Sequence, residues 1–309
     1  MEVLTDDNIQ DAVNLWCDNE GHAIEIYGHI SEWDVSRVTS MSNLFKKKIN
    51  FNEDISKWNV SNVTYMNQMF YEARLFNQNI NTKKITKDDG TTYIAWDTSN
   101  VTDMGGMFYS AYKFNQSITC WNVSNVTNMG CMFCCAYKFN QPITCWNVSN
   151  VTNMGGMFKR AYSFNQPLNN WDVSNVESMI GMFYNAVSFN KPINDWDVSN
   201  VEYMSEMFSN AISFNDNEIS SWIINDNCTI FTMFSNSNIK RENLENKNYG
   251  NKIARYFYLP NPKTNDELEK IKIERIKSNI RILEENKNLP ILGDDVENMI
   301  KDFLIRKKY

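Results

Sequence analysis

Tryptophan recurs along this chain at Trp33, Trp58, Trp96, Trp121, Trp146, Trp171, Trp196 and Trp222, and five of the seven gaps are 25 residues long. The other two are 38 and 26 residues. A period in this range marks a repeat architecture in which no unit buries its apolar face alone and each must stack on the next. The spacing therefore predicts a quasi-one-dimensional array rather than the two compact domains that 309 residues would otherwise suggest.

One unit, Ile143 to Pro167, reads I-T-C-W-N-V-S-N-V-T-N-M-G-G-M-F-K-R-A-Y-S-F-N-Q-P. Ile143, Trp146 and Val148 read as a short strand, too short to pair locally, whose partners are the same residues one unit away. Ser149 to Thr152 is a turn signal. Met154, Met157, Phe158 and Ala161 follow at steps of three and four, which predicts one face of a short helical turn. The same steps occur at Met66, Met69, Phe70, Ala73 and at Met104, Met107, Phe108, Ala111, and recur through Met204, Met207, Phe208, Ala211.

Fourteen of the 16 methionines occupy these positions. They read as deformable packing beside aromatic rings, not as metal or cofactor ligands. Two asparagine files run alongside, one through Asn62, Asn100, Asn125, Asn150, Asn175 and Asn200, the other through Asn52, Asn77, Asn115, Asn140, Asn165, Asn190 and Asn215. Stacked amides offer both donors and an acceptor to the backbone of a buried turn. Although Asn62-Val63-Thr64 and its equivalents are acceptor triplets for glycans, they read as structural.

With 13% aromatic residues the chain has enough apolar area to order itself. Residues 1–32 hold eight acidic and no basic side chains, residues 33–239 hold 14 basic and 17 acidic, and residues 240–309 hold 16 basic and 12 acidic. No stretch combines dense Lys/Arg with aromatics, so nucleic acid is not an expected partner. The first residues lack the basic start and apolar run of a signal peptide, and no run approaches the roughly 18 apolar residues of a membrane span. The expectation is a soluble, intracellular protein without membrane insertion; seven cysteines, an odd number, agree with a reducing compartment.

The run W-[DN]-V-S-N-V-T-x-M-x-x-M-F-x-x-A-x-x-F-N-Q, clearest at Trp121–Gln141 and Trp146–Gln166, resembles the BspA-like leucine-rich repeat family. It is most similar to the branch first noted in mycoplasma surface lipoproteins, and the likeness covers roughly Ile30 to Asn238. The resemblance implies an α/β repeat solenoid, a right-handed leucine-rich-repeat-like stack in which Ile118–Val123 and its equivalents form a strand ladder beside short helical turns. It also implies binding or adhesion rather than catalysis, with surface display in members that carry a lipoprotein signal.

Three regions depart from the repeat. Residues 1–29 read as a cap, with Thr5 or Asp6 starting a helix that buries Ile9, Ala12, Val13 and Trp16, then Ala23–Tyr27 as an added strand. The long tryptophan gap holds a polar insertion, residues 81–93, with an Asp89-Gly90 turn signal, expected to project as a loop or small hairpin. The repeat of about eight units ends near residue 238. The helical C-terminal segment 239–309 then has apolar stripes at Leu268, Ile271, Ile276, Ile280 and Leu283, and at Val296, Ile300, Phe303 and Leu304. Leu289-Pro290 with Asp295–Leu304 is faintly similar to the opening of an F-box, which would dock on a Skp1-like adaptor.

No H-E-x-x-H, Walker A, G-x-G-x-x-G or G-x-S-x-G pattern is present, and the two histidines are His22 and His29. Cys131-x-x-Cys134-Cys135 lacks the second pair a zinc site normally uses, and Cys120 and Cys145 share one repeat position. No catalytic, metal or cofactor residue is assigned. The expected function is a non-enzymatic scaffold that binds another macromolecule, a protein, through residues flanking the tryptophans: Lys57, Asn59, Thr119, Asn122, Thr144, Asn147, Asn170, Asp172, Asp195 and Asp197. The alternatives are a substrate adaptor for a ubiquitin ligase, using the C-terminal segment, or a structural or adhesive surface protein.

Overall fold

The computed structural model describes residues 2–214, 219 and 222–239. All lie in the first of the chain's two units, Met1–Tyr258. The helices expected near residues 265–283 and 294–305, and the F-box-like stretch, lie outside the described residues.

The chain opens with helix α1, Ile9–Asp18, whose Ile9, Ala12, Val13 and Trp16 are buried. Its start differs from the expected one. The N-cap is Asn8, while Thr5 accepts from the Asp7 N–H at 3.3 Å and Asp6 is used elsewhere. The expected strand Ala23–Tyr27 is instead the second half of helix α2, Glu20–Tyr27. Asn19 starts it by accepting from the His22 N–H at 3.2 Å, and Gly28 ends it at φ +77°. A helix satisfies its backbone internally, whereas a lone edge strand would not. The alternation in Ala-Ile-Glu-Ile-Tyr is misleading here, since only Ala23 is buried.

The repeat units pair side by side through single parallel bridges, one residue per unit: Ser40, Tyr65, Asp103, Asn128, Asn153, Ser178, Tyr203 and Thr229. These sit just before the first methionine, not around the tryptophan. The run Ile118–Val123, expected as a strand, is turn and irregular backbone closed by Trp121 N–H to Ile118 C=O.

The methionine segment is not an α-helix either. The N–H groups of Met154, Gly156, Phe158 and Arg160 donate to carbonyls of Ser178, Ile180, Met182 and Tyr184 in the next unit, at 2.7–2.9 Å. Those of Met157, Lys159 and Ala161 close turns onto the residue three back. This alternation requires left-handed backbone twice per unit, here at Gly156 and Arg160, and at Cys131 and Cys135 one unit earlier. For an L residue that conformation costs roughly 1–2 kcal/mol. The cross-unit hydrogen bonds offset it.

The core is a set of aromatic files. Phe70, Phe108, Phe133, Phe158 and Phe183 stack with centroids 5.5–5.8 Å apart, and Phe76, Phe114, Phe139, Phe164 and Phe189 at 6.0–6.1 Å. Trp96 lies 5.9 Å from Trp121 and Trp146 lies 6.5 Å from Trp171, each pair within 5° of parallel. Both spacings fall in the range for offset-stacked rings. Each of these indole N–H groups is satisfied by a carbonyl one unit back, as from Trp146 to Ile118 at 3.2 Å.

Both asparagine files bond between units. Asn62, Asn100, Asn125, Asn150, Asn175 and Asn200 each donate to a serine carbonyl of the preceding unit at 2.7 Å. In the other file Oδ1 of Asn52, Asn77, Asn115, Asn140 and Asn165 accepts from the backbone N–H of the next Asn, for example Asn165 from Asn190 at 2.9 Å, while Asn215 lies outside the described residues. The first unit has no predecessor, and the cap supplies what is missing. Asp6 accepts from the Thr39 and Ser40 N–H groups at 2.8 and 3.1 Å, and Gln10 donates to the Leu44 carbonyl at 3.1 Å.

Candidate functional site

Five of the tryptophan-flanking residues do the same local work. Asn59, Asn122, Asn147, Asp172 and Asp197 each follow a buried tryptophan, and each accepts from the backbone N–H two residues on, Ser61, Ser124, Ser149, Ser174 and Ser199, at 3.0–3.2 Å. This turn needs a short side chain with an oxygen, which Asn and Asp supply equally. Their charge is therefore free to vary while the backbone stays the same. Hydrogen bonds to Ser199 hold the Asp197 carboxyl below its ordinary pKa, so it is anionic at neutral pH.

The residues before tryptophan are more diverse. Thr119 is half-buried and donates to the Pro142 carbonyl of the next unit at 3.0 Å. Thr144 is half-buried, while Asn170 and Asp195 are exposed and accept from Asn169 and Asn194 beside them. Lys57 is exposed and its ammonium meets Glu32 at 2.6 Å, the hydrogen bond that raises its pKa. The ten residues named from the sequence thus fall at three positions around tryptophan: two before it at Thr119 and Thr144, one before it at Lys57, Asn170 and Asp195, and one after it at the other five. Asp34 and Asp97, after Trp33 and Trp96, make the same turn, so Asn and Asp alternate irregularly at this position along the row.

The insertion is a β-hairpin of strands β1, Lys83–Thr86, and β2, Thr92–Ala95, paired antiparallel with Lys83 opposite Ala95. It abuts the same row of residues. Tyr93 donates its hydroxyl to the Lys57 carbonyl, and Lys83 donates to Ser56 at 2.9 Å. Lys87 stands 5.6 Å over the Tyr93 ring. At the tip Asp89 accepts from both the Thr91 N–H and hydroxyl, which lowers its pKa. The hairpin adds Lys83, Lys84 and Lys87 beside Lys57, where Glu32, Asp34 and Asp54 also lie, so this end of the row carries charges of both signs.

A second group of side chains was missed in the sequence. Tyr112, Tyr137 and Tyr162 stack at 4.6 and 4.9 Å, and Tyr71 and Tyr109 at 4.4 Å. Lys46, Arg74 and Lys159 sit over Tyr71, Tyr112 and Tyr184 at 5.1, 5.4 and 4.8 Å. The signal was available as tyrosine directly after the repeat alanine at residues 112, 137 and 162. Cys131, Cys134 and Cys135 lie in this region. Burial pushes the Tyr162 hydroxyl up to about 12, against the opposing charge of Arg160.

No described helix is long and apolar enough to cross a membrane. The class these observations define is a repeat protein, built from units that hydrogen-bond and stack on their neighbours. The chain belongs to the family described as "Mycoplasma protein of unknown function, DUF285", which matches residues 21–95, 84–186, 143–249 and 168–271 in overlapping stretches. No curated protein and no solved structure matches it.

Proposed function

We propose that this chain is a non-enzymatic repeat scaffold that binds another protein through the tryptophan-flanking row and the hairpin beside it. The fold we infer is a right-handed, leucine-rich-repeat-like solenoid of the BspA-like type, acting inside the cell. One observation carries the binding reading: the Asx turns hold the backbone in register from Asp34 to Asp197 while the exposed side chains on it differ in charge. Such a surface presents a fixed geometry with a readable pattern. Asp172, Asp195 and Asp197 fall in adjacent units, so the fitting partner presents basic side chains to them. That arrangement governs encounter rate and orientation more than affinity.

The test exchanges charge without disturbing the turns. Asp172→Asn, Asp195→Asn and Asp197→Asn are combined, since asparagine already serves as the turn residue at Asn122 and Asn147. Affinity capture from the native cell with intact chain and triple variant, read by mass spectrometry, should recover a protein that the variant loses. Identical recovery by both chains would end the proposal for this surface.

A further inference from the structure

Cys131, Cys134 and Cys135 lie on one unit, on residues other than those that flank tryptophan, so the cluster is independent of the proposed binding face. The Cys134 N–H donates to the Cys131 carbonyl at 3.0 Å, closing a turn. Such a turn holds the first and fourth Cα atoms within about 7 Å, and a disulfide spans about 4.4–6.8 Å. The Cys134 sulfur lies 3.8 Å from that of its chain neighbour Cys135. Cys131 is only partly buried, whereas Cys134 and Cys135 are buried.

The following unit makes room for this sulfur. Cys131 has φ +55°, and the same position one unit to either side is Gly106 and Gly156, at φ +62° and +63°. A Cβ on Gly156 would stand 3.0 Å from the Cys131 sulfur. The missing side chain at Gly156 therefore gives the thiol its room. The hydrogen bond with Cys134 lowers the pKa of both Cys131 and Cys135 against burial, and of the two only Cys131 is partly exposed, with Lys159 nearby. Hydrogen bonds with the flanking sulfurs, then burial, raise that of Cys134. A partly exposed thiolate beside a protonated thiol is the arrangement of a reactive and a resolving cysteine.

We propose that Cys131 and Cys134 form a reversible redox site for hydroperoxides. The Cys131 thiolate attacks a peroxide oxygen; the O–O bond breaks, and the leaving oxygen takes a proton to become water or an alcohol. Cys131 is then a sulfenic acid. The Cys134 sulfur attacks the Cys131 sulfur, the S–O bond breaks, and the departing hydroxide takes the Cys134 proton as water. The two sulfurs together give up two electrons and the peroxide accepts them. A small dithiol reductant restores both thiols by exchange.

The test uses the full chain with Cys120→Ser and Cys145→Ser, which removes the exposed pair at the repeat position shared by neighbouring units. After reduction it is treated with stoichiometric hydrogen peroxide, alkylated and mapped by mass spectrometry. The expected product is a Cys131–Cys134 disulfide, lost on dithiothreitol treatment, with Cys131 reacting on the order of tenfold faster than Cys17. Burial raises the Cys17 pKa, which makes it an internal reference. Cys134→Ser should stop at a sulfenic acid on Cys131 that dimedone traps. Cys131→Gly, the residue of both neighbouring units, should fold and form neither product. A Cys134–Cys135 link, or Cys131 reacting no faster than Cys17, would overturn the assignment.

Discussion

An interior unit and the N-terminal edge solve the same problem with different chemistry. In the unit around Trp146, backbone groups on both sides meet backbone groups of neighbours: Thr152 N–H donates to the Thr127 carbonyl at 2.9 Å, and Met154 N–H to Ser178 at 2.9 Å. At the first unit the carbonyl that Thr39 would seek does not exist. The Asp6 carboxylate stands in its place, taking two N–H groups and the Thr39 hydroxyl at 2.6 Å, while the Gln10 amide covers the Leu44 carbonyl. The lesson is that a repeat end is closed by side chains imitating a missing backbone, with a charged acceptor where the interior has a neutral one.

The largest break should come in the interior. Trp146→Ala removes a buried indole between two neighbours and should cost about 3–5 kcal/mol, read as a lower denaturant midpoint. Trp146→Phe should recover most of it, leaving the Ile118 carbonyl without its 3.2 Å partner. Next comes close approach: a Cβ at Gly130 would lie 2.8 Å from the Asn153 amide nitrogen. Gly130→Ala should cost about 1–3 kcal/mol by overpacking. An unchanged midpoint would mean the neighbouring unit yields there.

The edge should respond less, and with pH. Burial works against ionisation of Asp6, but its hydrogen bonds from Thr39 and Ser40 prevail and hold its pKa below the ordinary 3.8. Its contribution is therefore complete above 3.8 and lost as pH falls through the lower folded value. Asp6→Asn should lower stability at neutral pH by about 1 kcal/mol, given an exposed site, and should flatten the acid limb of a stability–pH curve. A variant curve parallel to that of the parent chain would remove the edge role. Smallest of all, Lys57→Ala breaks the surface pair with Glu32 and should shift the midpoint by no more than about 0.5 kcal/mol.

Much of this comparison was legible in advance. The tryptophan interval marks Trp58 through Trp222 as buried, and the three-and-four steps mark the Met, Phe and Ala positions that are fully enclosed. The asparagine files are visible as columns at a fixed step, and their amide chemistry suggests inter-unit bonds. The N-terminal apolar stripe at Ile9, Ala12, Val13 and Trp16 is equally plain. Of the candidate binding row, residue positions could be named, but not that Asn59, Asn122 and Asn147 are engaged in turns.

Other features escaped because their cause is not local. A step of three and four is shared by an α-helix and by successive three-residue turns, so Met154–Ala161 could not distinguish them. Left-handed backbone at Arg160 or Cys135 has no residue signal, since glycine is not required where a neighbour's carbonyl rewards the conformation. Asp6 reads as a helix start because such residues usually are; its partners lie 33 and 34 residues away.

By itself the amino-acid order determined what is buried and at what interval, because burial depends on side-chain type and a repeat multiplies the signal. Where the bridges fall, which N–H groups cross between units, and how the first unit is closed were decided only in three dimensions. Those choices depend on which backbone groups find a partner, and the partner belongs to another unit.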